Sequence, residues 1–140
     1  MKRLKFLIPV TALLLLAALL VGCSAGISGE SARVQIEGFF DAVSVGDLES
    51  AQKYVYPTTA IDLRDFLQDE AERLGVVFED GIEIKEFTGF SSAVYDSKYK
   101  GAYYTLHMKL TVGAKEIRSS VTVVSADRGM GIYSVSFSEK

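Results

Sequence analysis

Three residues of this 140-residue chain stand out for the chemistry their types and positions allow. Cys23 is the sole cysteine and lies at the foot of an apolar run, in the stretch LLVGCSAG. A thiol, through its thiolate, is the strongest nucleophile among the side chains at neutral pH. His107 is the sole histidine and the natural general base, because imidazole changes charge near neutrality without help from its surroundings. Glu70 is set against its own pattern: three residues after Leu67 and four before Leu74, it falls inside an apolar helical stripe. A buried carboxylate without a partner is costly. Either the stripe lies at a rim there and Glu70 reaches water or an arginine, or Glu70 faces a pocket with a raised pKa and meets a tyrosine hydroxyl or a ligand.

Aromatic residues add a second group. Tyr95, Tyr99, Tyr103 and Tyr104 are close enough in sequence to form a recognition patch, with ordinary cross-strand packing as the alternative. No cysteine and histidine cluster has the spacing of a zinc site, no Gly-rich loop stands between a strand and a helix, and no Gly-x-Ser-x-Gly elbow occurs. Metal, nucleotide and serine-hydrolase chemistry therefore have no footing in the sequence, and no cofactor is expected.

The elements that must position these residues fall in two blocks. Ala32, Ile36, Phe39, Phe40 and Val43 share one helical face, with Arg33, Glu37, Asp41 and Ser44 opposite. Gly46 suits the C-terminal end of this helix. Asp47 suits the N-cap of a second, short helix that turns Leu48, Ala51 and Val55 inward. Pro57 stops that helix. Thr58 or Thr59 then caps a third helix over 60–74, with Leu63, Phe66, Leu67 and Leu74 as its stripe and Gly75 as its end.

After Gly75 the period changes from 3.6 to 2. Ala102, Tyr104, Leu106, Met108, Leu110 and Val112 alternate with Tyr103, Thr105, His107, Lys109 and Thr111, the pattern of a strand with one face on a core. His107 falls on the polar face, as a surface residue, and Tyr103 shares that face; Tyr104 points the other way. Residues 82–95 read as an earlier strand in which Ile82 and Ile84 are out of phase with Phe87, so a bulge is expected near Glu86. Turns at Gly113-Ala114-Lys115 and Asp127-Arg128-Gly129 join two further strands, 116–126 and 131–138. Helices first and an antiparallel meander second imply an α+β fold with N-terminal helices packed on a sheet of about four strands.

Residues 1–22 stand apart from this domain. Lys2, Arg3 and Lys5 precede an uncharged apolar run from Phe6 to Val21, the order of a signal peptide. Sixteen residues broken by Pro9 and Thr11 are short for a membrane span, which takes roughly 20. Leu20-Val21-Gly22-Cys23 resembles the lipobox of bacterial lipoprotein signal peptides. That resemblance implies a diacylglycerol thioether on Cys23 and cleavage on its N-terminal side, hence a lipid anchor on the extracytoplasmic side of a bacterial membrane. Residues 23–29 are then a flexible tether and 30–140 the domain.

Within that domain, IEGFFDAVSVGDLESAQKYVYP (Ile36 to Pro57) resembles the opening of nuclear transport factor 2-like (cystatin-like) domains, with a paired aromatic, a Gly-Asp corner, a second helix and a proline. The closing DRGMGIYSVSF is similar to their last hairpin, without the tryptophan often found there. The resemblance implies a cone-like fold in which a curved sheet wraps the first helix, with room for a pocket between them. Glu70 and Tyr104 are the candidate pocket residues, and Tyr103 and His107 the candidate surface patch.

From residue 23 onward the chain carries all 18 acidic residues and 12 of the 15 basic ones, a formal net charge of −6. An acidic domain without a basic patch argues against nucleic acid as a partner. With a single cysteine, no intramolecular disulfide forms, and the core alone holds the fold. Such a fold hosts many activities, so three classes stay open. The first is a lipid-anchored binding or interaction module without chemistry, its partner a small molecule or an envelope protein, and this is the expected class. The second is an isomerase or dehydratase-like pocket enzyme using Glu70. The third is a structural envelope protein forming a homodimer through its sheet.

Overall fold

The structure, a computed structural model, describes residues 26–140. Cys23, the apolar run before it and the first part of the expected tether lie outside the described residues. Three helices, α1 (Gly29–Ser44), α2 (Leu48–Gln52) and α3 (Leu63–Leu74), precede a short 3-10 turn at Phe78–Asp80. Four strands follow, β1 (Ile82–Asp96), β2 (Gly101–Val112), β3 (Lys115–Ala126) and β4 (Gly129–Glu139). They pair antiparallel in the order β1-β2-β3-β4, so the chain is an α+β domain with an open sheet.

α1 starts inside the stretch expected to be a tether. Ser28 caps it, its Oγ accepting the Ser31 N–H at 3.1 Å, which satisfies one of the free donors of the first turn. Ala32, Ile36, Phe39, Phe40 and Val43 are buried as the periodicity predicts, and Ala42 joins them. Ser44, expected on the polar face, is instead a joint. Its Oγ donates to the Phe40 carbonyl at 2.8 Å and accepts the Ile82 N–H at 2.9 Å, tying the end of α1 to the start of β1. Gly46 takes a left-handed φ of 74° at the corner, and Asp47 caps α2 by accepting the Ser50 N–H at 3.1 Å.

α3 begins later than expected. Its N-cap is Asp62, which accepts the Asp65 N–H at 3.2 Å, and neither Thr58 nor Thr59 caps it. Residues 57–61 form turns in which the Thr59 N–H bonds to the Tyr56 carbonyl and the Ile61 N–H to the Thr59 carbonyl. Aspartate is the stronger cap, and a start at Leu63 still buries Leu63, Leu67 and Leu74 on one stripe. Gly75 ends the helix in the left-handed conformation, φ 67°.

All three helices lie on one face of the sheet, where Leu106, Met108, Leu110 and Val112 of β2, Ile117, Val121 and Val123 of β3, and Ile132 and Phe137 of β4 complete the core. Phe137 is its aromatic centre, with the rings of Phe40, Phe66 and Phe78 at centroid distances of 6.2, 6.4 and 5.3 Å. The chain after α2 is pinned to β4 by main-chain bonds, Tyr56 N–H to the Ile132 carbonyl at 2.8 Å and Ile132 N–H to the Tyr54 carbonyl at 2.7 Å. A side chain at Gly131 would meet the Tyr56 backbone at 2.7 Å, which explains the glycine there. β1 shifts register between Ile84 and Glu86, the expected bulge, and again between Phe87 and Gly89 and between Ala93 and Asp96.

Candidate functional site

Glu70 faces an arginine one helical turn on. Arg73 holds it with two bonds, Nε to Oε1 at 3.2 Å and Nη2 to Oε2 at 2.5 Å, and the same Nη2 donates to the Phe137 carbonyl at 2.7 Å. The Glu70 side chain keeps 19% of its exposure and Arg73 keeps 50%. The hydrogen bonds that Arg73 donates to the Glu70 carboxylate raise the Arg73 pKa above its ordinary value. Of the two readings of Glu70, the geometry is that of the rim: the carboxylate meets an arginine, and its oxygens are taken by that bidentate bond.

Tyr104 is elsewhere. It sits on the helix-facing side of β2 in the row of Ser92 and Val123, while Phe137, which anchors the Glu70 and Arg73 pair, is in the row of Met108 and Ser119. Four residues along a strand separate those rows by about 13 Å, so the structure does not bring Glu70 and Tyr104 into one pocket. The Tyr104 ring stacks on Phe90 of β1, centroids 5.4 Å apart and planes 14° apart, and its hydroxyl end lies over Gly29 at the start of α1.

His107 is exposed on the other face of the sheet, its Nδ1 at 2.6 Å from Ser120 Oγ. Beside it Thr105 and the buried Thr122 share a hydrogen bond at 2.7 Å. Tyr103 shares the face with His107 but belongs to a different cluster. Tyr99 packs against Tyr103 at 5.5 Å and edge-on against Tyr133 at 4.9 Å. The four tyrosines grouped by sequence are therefore divided between the two faces, and Tyr133, which sequence reasoning missed, completes the outer cluster. Its signal was hidden by a register shift: Thr122 pairs with Ser134 and Val123 with Ile132, which leaves Tyr133 without an opposite number.

Two hollows border α3. One of about 310 Å³ lies between the end of α1, α3 and the 3-10 turn, with Val43, Leu67, Ala71, Val76 and Phe78 as its apolar wall and Arg64, Gln68 and Glu79 at its mouth. Another, of about 580 Å³, opens to solvent along α2 and residues 61–64. Glu70 and Tyr104 line neither. Among the described residues no group of three or more His, Cys, Asp or Glu could hold a metal ion, and no helix is long and apolar enough to cross a membrane.

Among the described residues, three helices ahead of an antiparallel meander, packed on one of its faces, define an α+β domain. Comparison with family models, with curated proteins and with solved structures finds no match to it.

Proposed function

We propose that this protein is a lipid-anchored, extracytoplasmic binding domain of the bacterial cell envelope, of the nuclear transport factor 2-like type, and not an enzyme. The observation that carries the binding reading is the state of the two candidate acid/base groups. Glu70 is engaged by Arg73, and His107 stands exposed beside Ser120 on the face away from the helices. General acid/base catalysis needs such a group within reach of a substrate in a pocket, and neither Glu70 nor His107 lines the hollow beside α3, whose wall is apolar and whose ionisable groups, Arg64 and Glu79, stand at the mouth. The bulges of β1 support the curved, cone-like sheet of that fold type, since each bulge bends and twists its strand. The anchor is supported by the charged start, the apolar run and Leu20-Val21-Gly22-Cys23 in sequence.

Native mass spectrometry of the protein purified from its host tests the reading, with Glu70→Gln and Leu67→Gln beside the wild type. A retained small molecule or protein lost in Leu67→Gln, which lines the hollow, and kept in Glu70→Gln is the expected result. Loss in Glu70→Gln alone would restore the pocket-enzyme reading.

A further inference from the structure

Among the described residues, Val34, Val45, Val77 and Met130 are exposed apolar side chains scattered singly, and three more fall on one strand. Phe90, Val94 and Tyr95 are 65%, 62% and 66% exposed, and all three belong to the last half of β1, an edge strand. The turn that follows carries Lys98 and Lys100, with the Lys98 ammonium 5.2 Å from the centre of the Tyr99 ring. Because the strands are antiparallel, the β3–β4 turn with Arg128 lies at this same end of the sheet, joined to it by the Tyr99 and Tyr133 contact. The far end carries Glu79 and Asp80, close to Gly46 and Gly113 respectively. This end of the molecule thus gathers exposed apolar and aromatic side chains with Lys98, Lys100 and Arg128, beside Asp96 and Asp127 of the same turns, whereas the far end also carries Lys115 and Lys140, each paired with a glutamate.

The first described residue decides what could cover that end. Gly26 lies against Val94, with the Val94 Cγ1 atom 3.9 Å from where a Gly26 side chain would begin. The uncharged run Phe6 to Val21 ends five residues earlier and Cys23 stands three residues earlier. Three residues of extended chain reach about 11 Å at most. Whatever holds this chain to a membrane therefore holds it by the apolar end, and a surface tethered so closely meets the bilayer at high effective concentration.

We infer that Phe90, Val94 and Tyr95, with Lys98 and Lys100 beside them, form a bilayer-docking face that lays this end of the domain on the lipid headgroups. Valine and phenylalanine enter the boundary of the acyl chains, tyrosine sits at headgroup depth, and the lysines extend their ammonium groups to the phosphates. The inference rests on the membrane-anchor reading above, and it adds an orientation: α3 and its hollow face away from the lipid.

The chain contains no tryptophan, so a single introduced indole reports one place. The full protein, as its host processes it, is reconstituted into vesicles of phosphatidylethanolamine and phosphatidylglycerol, carrying Tyr95→Trp or, as the far-end control, Val77→Trp, itself 53% exposed. Acyl chains brominated near the headgroup should quench Tyr95→Trp several-fold more than Val77→Trp, with a blue shift and protection from aqueous iodide for the first alone. Equal quenching of the two while the protein floats with the vesicles would overturn the docking face and leave the anchor standing. Protection of Tyr95→Trp that follows protein concentration instead of lipid would assign the face to a second copy and overturn it as well. Failure of the wild type to float would overturn the anchor reading, and the docking face with it.

Discussion

Replacing Leu110 by alanine should separate the two faces of β2 more sharply than any other single change. Leu110 is fully buried, opposite Ile84 of β1 and Ile117 of β3, under the helices. Leucine-to-alanine changes in cores cost about 2 to 5 kcal/mol, the upper part of that range applying where neighbours cannot collapse into the gap. Here the flanking strands are fixed by ladder bonds on both sides, so about 3 to 4 kcal/mol is expected. For a domain of this size that lowers the melting temperature by roughly 10 to 20 °C. The neighbour Thr111 points to the polar face, and Thr111→Ala should stay within about 0.5 kcal/mol. Thr105→Ala belongs between them, at about 1 kcal/mol, because it leaves the buried Thr122 hydroxyl without its partner. Urea unfolding of the three variants beside the wild type measures all of this. A Thr111→Ala cost equal to or above that of Leu110→Ala would mean that the faces of the sheet are reversed and the account of the core is wrong.

Three further outcomes follow from local geometry. Asp62→Ala should cost about 1 kcal/mol as a lost helix cap, while Thr59→Val should be neutral or stabilising, since Thr59 Oγ1 is buried with no hydrogen-bond partner among the described residues; urea midpoints that rank them the other way would return the helix start to the threonines. The Ser50 hydroxyl bonded to Asp47, followed by the Ser50 N–H, lowers the Asp47 pKa. The unfolded chain therefore takes up that proton first as pH falls, and the stability Asp47 adds above the ordinary carboxylate pKa is lost on acidification through its folded value; melting curves from neutral to acid pH should lose less in Asp47→Asn than in the wild type. Glu70→Gln should be nearly neutral, and Glu70→Leu neutral or slightly stabilising by extending the stripe of Leu67 and Leu74; a large thermal destabilisation by Glu70→Gln would show that the Arg73 pair supports the fold.

Where a single period governs a stretch, the sequence is readable. The stripe of α1, the Asp47 cap and the alternation of β2 each follow from one spacing, and each is found in place. Competition between signals hides the rest. Thr58, Thr59 and Asp62 all suit a helix start, and only the packing of Leu63 decides among them. Ser44 reads as a polar-face residue until the start of β1 arrives beside it. In β1 the clash of phase between Ile84 and Phe87 announces one bulge, whereas the shift between Phe87 and Gly89 falls where threonine and glycine carry no apolar pattern, and that between Ala93 and Asp96 falls where three successive apolar or aromatic residues show no alternation. The candidate site suffers most from this. Glu70 breaks the stripe for a reason that Arg73 supplies from the next turn, and adjacent Tyr103 and Tyr104 lie on opposite faces of β2, Tyr104 against Phe90 and Tyr103 against Tyr99.

Whether a lipid on Cys23 holds a binding domain at a membrane surface is read from the mass of the N-terminal peptide of the protein extracted from its host membrane. The expected peptide begins at Cys23, is heavier by a diacylglycerol group, and is absent from Cys23→Ala, which should stay unprocessed. A peptide in which Cys23 carries a free thiol, or a chain that begins elsewhere without modification, would contradict the lipid anchor.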